Sequence, residues 1–221
     1  MNRMIPLAIV VAAIIAAGAY FLMQGNVTEV QVTQVETPEQ PDNAAAASSA
    51  IEDMVLGDAN APITMIEYAS YTCPHCGSFH QNTYPQLKAE YIDTGKVKFI
   101  FREVYFDRFG LWASMIARCG GQERFFGITD LMFKTQADWT RAGEPVAIAD
   151  ELRKIGRLAG LNDEELNSCL QNEESAKTLV EWFQANAARD EINSTPSFLI
   201  NGSKYGNMSY SEMKSLLDGM L

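Results

Sequence analysis

Ile63-Thr64-Met65-Ile66-Glu67-Tyr68-Ala69-Ser70-Tyr71-Thr72-Cys73-Pro74-His75-Cys76 decides the architecture. Its first eight residues form a short, mostly apolar run after Pro62, which suits a central strand buried on both faces. At Cys73 the pattern changes. Pro74 stands at the first helical position, where proline is welcome. A helix is predicted from Cys73 to about Ile92, kinked at Pro85 and ended by Asp93-Thr94-Gly95. Val97-Lys98-Phe99-Ile100-Phe101-Arg102-Glu103-Val104 reads as a second strand. Strand, helix and strand at this spacing predict a right-handed βαβ unit with parallel strands.

Downstream, residues 109–190 turn helical. Trp112, Met115, Ile116 and Cys119 fall at helical spacing before Gly120-Gly121 breaks the run. Further helices are predicted near 122–134, 144–159, 163–171 and 173–190. Asn162 or Asp163 caps the third of these, with acids in its first turn. Phe125, Phe126, Trp139, Trp182 and Phe183 read as core aromatics. Strand character returns at Ser197-Phe198-Leu199-Ile200, followed by the hairpin turn Asn201-Gly202. A last helix runs from about Tyr210 to Met220, opened by a capping box of Ser209 and Glu212. A helical block inserted into one α/β layer structure fits this order.

Upstream, an uncharged apolar run from Ile5 to Met23 follows Arg3, and acids (Glu29, Glu36, Glu39, Asp42) follow the run. This asymmetry keeps the N-terminus in the cytoplasm and exports the rest. As a helix the run reaches about 28 Å, enough to span a hydrocarbon core. As a signal peptide it offers cleavage at Ala17-Gly18-Ala19. Cleavage there would leave the apolar terminus Tyr20-Phe21-Leu22-Met23, so the uncleaved anchor is favoured. Either reading delivers the chain to an oxidising compartment. Residues 24–50, rich in Gln, Thr, Pro, Ala and acids, hold too few apolar residues to bury a face and read as a flexible tether.

The 221 residues are 47% hydrophobic and 20% charged, with a net charge of −11. That is a globular composition whose sign disfavours nucleic acid and anionic lipid. Removing the first 50 residues leaves 24 acids and 16 bases, so the folded part stays acidic.

Cys73-Pro74-His75-Cys76 carries the chemistry. Two sulfurs on one helical turn can form a disulfide. Cys73 sits at the helix N-terminus, where unpaired N–H groups and the macrodipole favour a thiolate. Cys76, one turn deeper, reads as the resolving partner. A donor or positive charge from His75 would stabilise the Cys73 thiolate further, and stabilising the reduced form makes a disulfide more oxidising. A purely structural disulfide is the first alternative. Zinc is the second, but one helix face cannot point Cys73, Cys76, His75 and His80 at one metal, and no second ligand pair exists. No metal is therefore expected, and His80 reads as a surface residue of the helix.

Ile66 to Cys76, the late Ser194-Thr195-Pro196-Ser197-Phe198 and the inserted helices together resemble the DsbA family, bacterial periplasmic thiol oxidases of thioredoxin fold. The resemblance covers about residues 52–221, and the Pro-His dipeptide is its specific marker. It implies an α/β, thioredoxin-like fold with an inserted all-helical domain. The parts are 1–23 signal peptide or anchor, 24–50 tether, 51–107 and 191–221 thioredoxin-like halves, and 108–190 helical insertion. Glu67 resembles the family's buried acid, which exchanges a proton with Cys76; a strand-end glutamate reaching solvent is the other reading. Thr195-Pro196 is implied to be a cis-proline loop against the disulfide, with the Thr195 backbone free to pair with an extended substrate peptide. Cys119 and Cys169 remain. Four cysteines in an oxidising compartment, two of them in the motif, lead us to expect a structural disulfide between these two. Enteric-type members lack such a bridge and related branches carry one.

The resemblance also implies a monomer on the periplasmic side of the inner membrane that oxidises reduced exported proteins. Its reoxidant would be a quinone-coupled membrane oxidase of DsbB type, and it would need no cofactor beyond the Cys73–Cys76 disulfide. Two rivals stay open: a reductase or isomerase on the same fold, and a membrane-tethered chaperone or assembly factor without turnover.

Overall fold

The computed structural model describes residues 51–221. The predicted signal peptide or anchor at 5–23, the cleavage point at Ala19 and the tether at 24–50 lie outside the described residues. Among the described residues no helix is long and apolar enough to cross a membrane.

Five strands form one sheet: β1 (Met54–Leu56), β2 (Ile63–Ala69), β3 (Val97–Glu103), β4 (Ser197–Ile200) and β5 (Ser203–Tyr205), in the order β1-β3-β2-β4-β5. β2 and β3 are parallel, with Glu67 opposite Phe101 and Ala69 opposite Glu103. β4 joins β2 antiparallel, placing Phe198 opposite Glu67. The β4–β5 hairpin turns through Asn201 (φ 46°) and Gly202 (φ 83°). Two successive left-handed residues match the twist of the flanking strands, which is why Asn-Gly is favoured there. The turn is also pinned to β2, since the Thr64 amide donates to Asn201 Oδ1 at 2.9 Å.

β1 has no counterpart in the sequence reading. It spans three residues and pairs antiparallel with β3. So short a strand shows no alternation, and only its partner identifies it.

The helix after Cys73 is not continuous. It divides into α1 (Pro74–Asn82), α2 (Tyr84–Leu87) and a π-helical turn at Lys88–Ile92. Pro85 lies in the first turn of α2, so the break comes just before the proline, which cannot donate to the preceding turn. The helical block comprises α3 (Arg108–Cys119), α4 (Gly121–Lys134), α5 (Gln136–Trp139), α6 (Pro145–Leu158), α7 (Asp163–Leu170) and α8 (Glu173–Arg189). α9 (Tyr210–Asp218) closes the chain. Capping boxes Asn162/Glu165 and Ser209/Glu212 open α7 and α9. Phe125, Trp139 and Trp182 are buried, while Phe126 and Phe183 are half-buried.

Side chains alternate across β2. Met65, Glu67 and Ala69 face one side, where α1 and Phe99, Phe101, Phe133 and Phe198 share one apolar core. Tyr68 faces the other side, where its hydroxyl donates to Asp190, the C-cap of α8, and accepts from Arg102 of β3. Arg102 also donates to both Asp53 oxygens at 2.8 Å. A second ion pair is more deeply buried. Glu103, with no exposed surface, accepts from Arg118 Nε and Nη2 at 2.7 Å each and from Ser114 Oγ at 2.9 Å.

Candidate active site

β2 delivers the chain to Ser70, and a turn closed by the Cys73 amide on the Ser70 carbonyl (3.1 Å) starts α1. Cys73 is the N-cap residue, with extended backbone (φ −81°, ψ 119°) and Pro74 in the first turn. Amides of the first turn have no intrahelical acceptor, so they are free to bond the capping side chain. Here that side chain is a sulfur.

The environment divides the two thiols, which are unbridged. Cys73 is lowered to about 5. The largest cause is the hydrogen bond from the Cys76 thiol. Burial opposes it, and the Thr195 side chain and the backbone N–H groups of Cys76 and His75 reinforce it. The Thr195 hydroxyl is buried and has no hydrogen-bond partner among the described residues. Cys76, with no exposed surface, is pushed far above the ordinary thiol range, first by burial and then by the negative groups Cys73 and Glu67. One sulfur is thus an anion near neutrality and the other holds its proton.

His75 acts differently from the sequence expectation. Its side chain is exposed, as is Pro74, and its contribution to Cys73 comes from the backbone N–H. A residue at the second helical position can supply that N–H whatever its side chain.

The Thr195-Pro196 peptide bond is cis. The Thr195 carbonyl oxygen lies 3.5 Å from Cys73 Sγ. Glu67 is wholly buried, and its oxygens lie 3.1 and 3.0 Å from Nε2 of His80. That corrects the reading of His80 as a surface residue. Only 5% of it is exposed, because the helix turns residues four apart to one face and Cys76 already points inward.

Gln136 was missed altogether. From α5 its Nε2 donates to the carbonyls of Tyr71 (2.8 Å) and Cys73 (2.9 Å), so the helical insertion grips the backbone of the motif. Gly77 makes room for it: a Cβ there would stand 2.2 Å from Gln136 Oε1. Gln136 lies in Thr135-Gln136-Ala137-Asp138, whose composition does not distinguish a surface turn from a buried clamp. On the opposite side Thr72 Oγ1 donates to Asp107 Oδ2 at 2.7 Å, and Asp107 caps α3 through its other oxygen.

Cys119 and Cys169 are joined, Cα to Cα 6.0 Å, linking the last turns of α3 and α7 across 50 residues of sequence.

A family model described as Thioredoxin matches residues 49–219. A Rickettsia conorii relative named as a protein-disulfide oxidoreductase is 32% identical over 86% of this chain and 71% of its own length. The crystal structure of Wolbachia pipientis alpha-DsbA1 superposes with a TM-score of 0.70 at 30% identity, covering 79% of this chain and 95% of that one. This chain belongs to the DsbA family of thiol:disulfide oxidoreductases. The disulfide bond formation protein D of Bacillus subtilis is a more distant relative, 26% identical over 81% of this chain and 82% of its own.

A DsbA-family site with these surroundings makes a pH prediction. The folded Cys73 thiol, at about 5, lies below its ordinary value. A depressed acid stabilises the fold fully above the unfolded pKa, and this contribution is lost as pH falls through the folded one. The reduced protein should therefore gain stability relative to the oxidised form from about pH 5 up to about pH 8.5. Paired thermal melts read this difference, and thiolate absorbance should show a midpoint near 5. A midpoint above about 8 would deny the sulfur its helix-terminal and Cys76 bonds.

Proposed function

We infer that this DsbA-family protein donates disulfides to exported proteins. The observation that carries the reading is the opposed environment of the two sulfurs. At pH 7 a thiol lowered to about 5 is ionised to an extent that stabilises the dithiol form by roughly 60 mV for a two-electron couple. A stabilised dithiol makes its disulfide an oxidant.

In the forward reaction a substrate thiolate attacks Cys73 Sγ of the oxidised protein. The Cys73–Cys76 bond breaks, a substrate–Cys73 mixed disulfide forms, and the electron pair leaves on Cys76, which takes a proton. A second substrate thiolate then attacks the substrate sulfur and expels Cys73 as its thiolate. The substrate has lost two electrons and the protein has gained them. Glu67, beneath Cys76, is the proton-exchanging acid of this scheme. The Thr195 backbone beside Cys73 offers an edge on which an extended substrate strand pairs. Pro74 and His75 lie exposed at the mouth, where substrate arrives. Cys119–Cys169 braces the helical block. The couple needs no resident cofactor.

Each turnover requires a two-electron acceptor to restore the disulfide. The family resemblance supports a quinone-coupled membrane oxidase of DsbB type in that role. The apolar run at 5–23 supports work on the periplasmic side of the inner membrane, either anchored there or released after cleavage near Ala19. The default is a monomer.

The reduction potential in glutathione buffers tests the direction, using the full chain purified in detergent and following Cys73–Cys76 by peptide mass. A potential of about −180 mV or higher is expected. A value near about −270 mV would make the protein a reductant and overturn the donor reading in favour of a reductase on this fold.

A further inference from the structure

Among the described residues the Glu67 carboxylate has one hydrogen-bond partner, Nε2 of His80, which meets both of its oxygens. A buried carboxyl group without a hydrogen-bond partner is costly, so this contact holds Glu67 in its place. The imidazole is held for the task. It stacks on Phe133 with centroids 4.0 Å apart and planes 14° apart, lies against Tyr84 at 4.8 Å, and meets the ring edges of Phe79 and Phe101. Rings on four elements leave it little freedom to turn away. The two groups are linked to the chemistry by place. His80 follows Cys76 by one helical turn on α1, and Glu67 of β2 is near enough for its charge to act on the Cys76 thiol.

We propose that His80 is a positioning residue of the exchange reaction: by bonding both oxygens of Glu67 it fixes the carboxyl that gives Cys76 its proton when the disulfide opens and takes it back when the disulfide closes. Resting on the exchange chemistry described above, the scheme balances. Cys76 leaves as a thiolate, one proton passes to it from the Glu67 carboxyl, and solvent reloads the pair. Reoxidation runs the same proton outward. The titratable groups around the imidazole are Glu67 on β2, Tyr84 on α2, Cys76 on α1 and, through Cys76, Cys73. Phe79, Phe101 and Phe133 complete the surroundings.

The test is the pH dependence of glutathione exchange in the full-length protein. His80→Phe keeps the stack and removes the donor, whereas His80→Gln keeps a donor. The Phe variant should move the inflection of the rate profile by about one pH unit, a tenfold change on its slope. The Gln variant should restore the wild-type profile. In a Glu67→Gln background the Phe substitution should move nothing further. Superimposable wild-type and Phe profiles, or an equal shift in the Glu67→Gln background, would overturn the proposal. If the Phe variant does not fold, the imidazole resonances of wild-type His80 are titrated in both redox states. Different midpoints are expected, and identical ones would overturn it. Glutathione exchange proceeds whether the protein is an oxidant or a reductant, so failure of the donor reading leaves this result readable.

Discussion

Cys73→Ser should reduce disulfide exchange to the uncatalysed background while the protein stays folded. The loss is complete because oxygen cannot form the mixed disulfide, and because Cys76 cannot substitute. That sulfur has no exposed surface and keeps its proton. The fold should survive because Cys73 is the N-cap of α1, and serine is among the best residues for that place. Its oxygen can accept from the unpaired first-turn amides, a cap that the sulfur itself does not make. Against the reduced wild type at pH 7 we expect a loss of about 3 kcal/mol, the stabilisation of the thiolate that serine cannot carry, and about 1 kcal/mol or less from the cap itself. Oxidation of a reduced, unfolded test protein reads the first part, and thermal unfolding reads the second. Residual catalysis would mean that another sulfur starts the exchange.

Arg118→Leu should be strongly destabilising although it lies away from the motif. It leaves the wholly buried Glu103 without the guanidinium that now bonds both its oxygens at 2.7 Å. Breaking a buried pair from one side typically costs about 3–5 kcal/mol. Arg118 also donates to the Glu52 carbonyl at 3.1 Å, so the segment entering β1 should loosen with it. Urea unfolding measures the loss. Adding Glu103→Leu should recover part of it, because the orphaned charge is then gone. A single variant within about 1 kcal/mol of wild type would show that water or another cation reaches Glu103.

Much of the fold was legible because its signals are local. Pro74 and the two cysteines mark the start of α1. Asn201-Gly202 demands the left-handed pair that turns the β4–β5 hairpin. Asn162 or Asp163, and Ser209 with Glu212, mark helix starts by capping chemistry, and the structure makes Asn162 the cap of α7. β2 and β3 are long enough for their apolar runs to show. β1, with three residues, is not. The break at the end of α1 was anticipated as a bend at Pro85, and the chain breaks just before it.

The sequence by itself determined the paired cysteines of the motif, the longer strands and helices around them and the turn that joins β4 to β5. Each depends on neighbours within a few positions. Only the tertiary structure decided the environment that gives those sulfurs unequal roles. Gln136 reaches the motif from α5, across 63 residues of sequence to Cys73. Thr195 brings its carbonyl to Cys73 from 122 residues away. His80 faces Glu67 rather than water because Phe133 and Phe101 close over it. Burial and long-range hydrogen bonds arise where distant segments meet, and a pattern read along the chain has no measure of that distance.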